Sequence, residues 1–166
     1  MTDTREPELV VDSDGTKEWR LDGNLHRLDG PAVEYANGMK KWYVNGKRHR
    51  VDGPAIEYSN GTKFWYINGK LHRVDGPAIE YPDGTKHWFV ADKRHRLDGP
   101  ACEYADGTKR WLVDGNYHRL GGPAIEFADG TKCWYIFGEE YFDKELYEVT
   151  SSILLMLFPD LRSDRK

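Results

Sequence analysis

Gly-Pro-Ala begins at Gly30, Gly53, Gly76, Gly99 and Gly122, five times at a spacing of 23 residues. All six tryptophans (Trp19, Trp42, Trp65, Trp88, Trp111 and Trp134) keep the same step. So do Gly15, Gly38, Gly61, Gly84, Gly107 and Gly130, each preceded by Asp or Asn. His26, His49, His72, His95 and His118 follow the step too, each with an arginine next to it. The unit reads DGPA-I-EY-x-[DN]-G-T-K-x-W-Y-V-[ND]-G-K-x-H-R-V, and "HRVDGPAIEY" recurs letter for letter from His49 and from His72. A fixed period of this length marks a repeat architecture, in which each unit covers its neighbour and identical copies meet the same stacking geometry at every step.

No helical period runs inside the unit, whereas Asp-Gly or Asn-Gly between short alternating runs is the strongest local hairpin signal. The expected fold is an all-β repeat. It is a single elongated stack of antiparallel β-hairpins over residues 8–138, after an N-terminal tail at 1–7 and before a short C-terminal α-helical cap and tail at 139–166. With a two-residue turn at Asn37-Gly38, Val33 is expected opposite Trp42 and Glu34 opposite Lys41. Val33, Tyr35, Trp42 and Val44 then share one face, and Ala32, Glu34, Lys41 and Tyr43 the other. A second turn at Asn45-Gly46 brings His49 back across from Trp42. The tryptophans are expected to be buried. In "DKELYEVTSSILLMLFP" Asp143 is a fitting N-cap and Pro159 a stop, with Leu146, Val149, Ile153 and Leu157 on the apolar stripe that closes the last hairpin. Leu154, Leu155, Met156 and Phe158 make that helix apolar on more than one side, which leaves room for a homodimer contact.

With the unit laid out, "DGPAIEYSNGTKFWYINGKLHR" resembles MORN repeats, and more closely their type-2 variant, over about 130 of the 166 residues. The HR-x-DGPA-x-EY form looks like repeats of tailed-phage and giant-virus proteins. The resemblance implies a binding or scaffolding module, and a viral accessory factor that inhibits a host protein or neutralises a toxin. The MORN unit has a glycine where this chain has Arg50 or Arg73, which sets it apart from a lipid-binding site.

The His-Arg-Asp cluster recurs five times, whereas a catalytic centre needs one asymmetric constellation. The expected role of these residues, like that of the six tryptophans, is structural: Arg50 pairs with Asp52 or Glu57, and His49 packs on the Trp42 ring. Arg119 departs from the pattern because "RLGGPA" puts Gly121 in the slot of the acid, leaving that arginine as a candidate for an anion. Cys102 takes a slot that is otherwise Val or Ile, and Cys133 is expected on the opposite face, both as free thiols in a reducing cytoplasm. No catalytic residue, cofactor or metal ligand is expected, and the chain is read as a non-enzyme.

Stacking does not dictate the residues that vary between units. These are the expected partner-binding positions: Lys41, Phe64, His87 and Arg110 in one row, Tyr43, Tyr66, Phe89, Leu112 and Tyr135 in the next, Arg48 and Arg94 before the histidines, and Arg119 with them. Rows of Tyr and Arg suit a protein interface. The alternative is sequestration of a small ligand or nucleotide by this aromatic, Arg and His surface, or by a groove between protomers. The net charge of −4 argues against nucleic acid and against a membrane surface, both of which call for a basic stripe.

Overall fold

A computed structural model describes residues 5–161. Residues 1–4 of the expected N-terminal tail and 162–166 of the C-terminal tail lie outside the described residues. The chain is made of antiparallel β-hairpins and one C-terminal helix, and divides into two compact units, Met1–Pro82 and Asp83–Lys166.

In the first unit the strand order is Glu8–Val11, Lys17–Leu21, Val33–Glu34, Lys40–Lys41, Ile56–Glu57, Lys63–Phe64, Ile79–Glu80. Beside this sheet, Tyr43–Val44 pairs with Lys47–Arg48 and Tyr66–Ile67 with Lys70–Leu71. The second unit repeats the scheme from Lys86–His87 to Lys132–Ile136 and Glu139–Tyr141, with side hairpins at Phe89–Arg94 and Leu112–Tyr117. Each 23-residue unit therefore holds two hairpins, and its tryptophan sits between them.

The two turns differ, and the difference corrects the expected register. Val33 lies opposite Lys41 and Glu34 opposite Lys40, one residue away from the two-residue reading. The loop is closed by the Tyr35 N–H bond to the Met39 carbonyl, and the Asn37 side chain accepts the Met39 N–H. Only Gly38 of the Asn-Gly pair has positive φ, so this is a longer loop with a left-handed glycine, not a two-residue I′ turn. A one-residue slip moves every side chain to the other face. Val33, Tyr35 and Lys41 thus share a face, and Glu34 falls on the tryptophan side. The expected Glu34–Lys41 pairing does not form, and in the second unit Arg110 likewise lies opposite Cys102. Cys133 lies opposite Ile125, on the same face as Cys102 and not the opposite one, and both thiols are free. The second turn does follow the two-residue pattern: Asn45 and Gly46 have φ of 49° and 72°, Tyr43 faces Arg48, and the His49 N–H bonds the Trp42 carbonyl.

The core is thin. Ala32, Ala55, Ala78, Ala101 and Ala124 are 0% exposed, and Val33, Ile56, Ile79, Cys102 and Ile125 pack beside them. The tryptophans are half-buried, not buried as expected. The helix Lys144–Leu157 starts as predicted, with the Asp143 carboxylate accepting the N–H groups of Glu145 and Leu146, and ends before Pro159. Its docked side is a different one from that expected. Tyr147 and Ser151 are buried, whereas Leu146, Val149, Ile153 and Leu157 point outward.

Candidate functional site

On the tryptophan side every step builds the same clamp. Cζ of Arg27, Arg50, Arg73, Arg96 and Arg119 lies 3.8–4.2 Å from the ring centroid of the tryptophan eight residues earlier. The glycine three residues on covers the other side of the guanidinium, and a Cβ at Gly53 would come within 2.8 Å of Arg50 Cζ. Nη1 of Arg50 donates to the Pro54 carbonyl and to Glu57 Oε1, while Nε donates to Asp52 Oδ1. Arg73 and Arg96 repeat this set with Asp75 and Glu80 and with Asp98 and Glu103. The group lying on the ring is thus the arginine, where the sequence suggested the histidine. The Arg–Asp pairs are solvated on the acid side, with Asp52 and Asp75 more than four-fifths exposed, and such pairs contribute about 0–1 kcal/mol. The guanidinium sandwiched between an indole and a backbone is desolvated, and its cation–π contact reaches about 2 kcal/mol. The stack is the stronger half of the clamp. The hydrogen bond from each arginine holds Asp29, Asp52, Asp75 and Asp98 below the usual carboxylate range.

The histidines reach along the array. Nδ1 of His49 accepts the N–H of Asn68 at 3.1 Å, and Nδ1 of His26 lies 3.3 Å from the N–H of Asn45. His26 and His49 in the first unit, and His95 in the second, thus each cap the left-handed residue that opens a turn nineteen residues on. His118 does the same for Phe137, whose ring stacks on it at 4.1 Å, and burial lowers the His118 pKa.

In the fifth unit the missing acid is explained by the helix. The Gly121 N–H donates to Ser151 Oγ and the Gly122 N–H to the Tyr147 hydroxyl, which in turn lies 2.8 Å from the Arg119 carbonyl and 2.7 Å from that of Gly122. Arg119 keeps Glu126 at 2.9 Å and its place on Trp111. Gly121 itself holds a left-handed φ of 79°, which an aspartate adopts only at a cost, and no side chain stands within 4 Å of where its Cβ would be.

The opposite face carries the residues that vary. Lys41 Nζ donates to the Tyr35 hydroxyl and lies over that ring, and Arg48 lies over Tyr66 at 5.2 Å. Phe64 contacts Tyr58, Tyr66 and Tyr81, of which Tyr58 and Tyr81 are exposed. In the second unit Arg94 lies over Phe89, Arg110 over Tyr104, and Tyr117 meets Tyr135 at 5.2 Å. Of the expected partner positions, Lys41, Tyr43, Arg48, Phe64, Tyr66, Arg110, Arg119 and Tyr135 are half-buried and Arg94 is exposed. His87, Phe89 and Leu112 are buried, so they shape this face from beneath and do not present themselves to a partner. His87 is pushed down to about 4, first by burial and then by the charges of Arg94 and Arg110. Tyr135 is pushed up to about 12 by desolvation and by Glu140.

Sequence reasoning missed a second exposed row. Leu28, Val51 and Val74 stand 78–86% exposed on the HR-x-DGPA loops of the first unit, and Leu97 holds the same slot in the second. Val51 and Val74 border a groove of about 650 Å³ floored by Trp65 and Ile67. The signal was present: this slot is always Leu or Val although its neighbours are charged. In the second unit the corresponding groove, about 460 Å³, is bordered by Leu97, Trp111, Leu120, Phe137 and the Pro159–Leu161 turn.

Among the described residues, no group of three or more His, Cys, Asp and Glu could hold a metal ion, and no helix is long and apolar enough to cross a membrane. The chain matches no known protein-family profile, and no curated protein matches it.

Proposed function

We propose that the chain is a non-catalytic binding scaffold that docks a protein partner on its ring-and-cation face. The observation that supports this reading is the contrast between the two faces. The clamp side repeats the same residues and satisfies its arginines internally, whereas the opposite side changes at each step and offers aromatic rings beside cations, the residue types that dominate interface hot spots. The resemblance to type-2 MORN-like repeats suggests a viral or phage accessory factor in the host cytoplasm, with a host protein or a toxin as the partner inhibited.

The test is native mass spectrometry of the protein drawn gently from the cells that make it. A stoichiometric added protein mass is expected, lost on Tyr58→Ser with Tyr81→Ser or on Arg48→Glu, and kept on Val51→Ser with Val74→Ser. Loss in the valine pair alone moves the interface to the loops and overturns the proposal. An added mass of a few hundred daltons, with no protein, supports sequestration of a small ligand instead.

A further inference from the structure

The helix Lys144–Leu157 docks by Tyr147 and Ser151 and turns an apolar stripe to solvent. Leu146, Val149, Ile153, Met156 and Leu157 are 48–76% exposed. Their spacing of three and four residues places all five within about 100° of arc at 3.6 residues per turn. The five side chains together expose on the order of 500 Å², the upper part of the roughly 300–600 Å² range in which the largest apolar patch of a protein is often functional.

We propose that a second copy of this chain covers the stripe, the two helices packing antiparallel about a two-fold axis. The 3-4 spacing is the seam by which helices pair with their own kind, and a two-fold contact needs a single self-complementary patch. Charge sets the direction. Lys144, Glu145 and Glu148 are the helix's charges, all in its first half, and residues 149–158 carry none. A parallel pair aligns Glu145 and Glu148 with their own copies. An antiparallel pair lays them beside the uncharged half, opposes the helix dipoles, and sets Val149 against Ile153 and Leu146 against Met156 of the second copy. A lipid surface is the poorer occupant, because no Lys or Arg flanks the stripe within 149–158. The inference stands independently of the sheet-face reading, since it uses none of the same residues.

The test is sedimentation equilibrium of the full chain from 1 to 50 µM, joined to cysteine cross-linking in a Cys133→Ser background. The wild type is expected as a dimer. Ile153→Asp is expected as a monomer with an unchanged far-ultraviolet spectrum, and Ser152→Asp, off the stripe, as a dimer. Mixed Val149→Cys and Ile153→Cys chains are expected to cross-link faster than either alone. A monomeric wild type, a dimer that survives Ile153→Asp, or cross-linking only between identical variants overturns the proposal, as does wild type that sediments with neutral vesicles but not with itself.

Discussion

The guanidinium carbon of Arg50 and the α-carbon of Gly53 are so close that a single added methyl would stand 2.8 Å from Cζ. The glycine of Gly-Pro-Ala is therefore needed for the space it leaves and not for its backbone freedom: Gly53 is absent from the positive-φ positions, unlike Gly38 and Gly46. Gly53→Ala pushes the guanidinium off the Trp42 ring or shifts the loop. The expected cost is about 1–3 kcal/mol, the range for overpacking and for a lost desolvated cation–π contact. A double-mutant cycle with Arg50→Ala, read by urea unfolding, checks the mechanism. In the Arg50→Ala background the glycine change becomes nearly neutral; a cost that persists there removes steric exclusion by Arg50 as the cause.

Tyr147 ties the cap helix to the last clamp through its hydroxyl, which accepts the Gly122 N–H. Tyr147→Phe keeps the ring on Trp134 and Tyr141 but leaves that half-buried donor without its partner. The expected loss is about 1–3 kcal/mol. Amide exchange at Gly121 and Gly122 is expected to accelerate, with exchange in the first unit unchanged. Uniform acceleration along the whole chain would show instead that the helix supports all the hairpins together.

His87 predicts a pH dependence. Its folded pKa is near 4 against 6.5 when unfolded, so below pH 6.5 the unfolded chain binds the proton first. Stability is whole above about pH 6.5 and falls as the pH drops toward 4, by at most about 1.4 kcal/mol per pH unit for this group. His118, lowered by burial, acts in the same direction. The clamp aspartates have depressed folded values, and their contribution is lost only at more acid pH, below the ordinary carboxylate range. His87→Phe, which copies Phe64 of the preceding unit, is expected to flatten the slope between pH 6.5 and 4 and leave the acid limb intact. Thermal melts at half-unit intervals read both limbs.

The period, the hairpins and the cap helix were legible because they rest on local chemistry: Asx-Gly pairs, alternation and an N-cap. The register of the main hairpin was not, because Asn37-Gly38 and Asn45-Gly46 look alike in sequence. What separates them is the Asn37 side chain closing the loop onto Met39. That slip then misplaced Val33, Cys102 and the face of Glu34. The clamp was half legible: charge pairing of Arg50 with Asp52 and Glu57 follows from spacing, but only the fold shows Gly53 making room for the guanidinium on the indole. The helix face was inverted because its outward stripe is more apolar than the Tyr147–Ser151 side it buries, and apolarity alone does not distinguish a docked face from an open one.

The turn of the fourth unit departs from the others. Ala91 and Asp92 hold φ of 49° and 70° where the second and third units have Asn-Gly. An L-residue with a Cβ in the left-handed region costs roughly 1 kcal/mol or more, and asparagine bears it best of the non-glycine residues. In the second and third units that asparagine also brings its amide to the histidine before it, Asn45 to His26 at 2.7 Å and Asn68 to His49 at 3.0 Å. Ala91→Asn therefore relieves the strain of the left-handed alanine. The expected gain is roughly 0.5–1 kcal/mol, a rise of about 1–4 °C in Tm for a chain of this size. Asn68→Ala, the reverse change in the third unit, is expected to lower Tm by a similar amount. Should both variants melt with the wild type, the histidine–turn contact contributes nothing to stability, and the five histidines need another reason to recur.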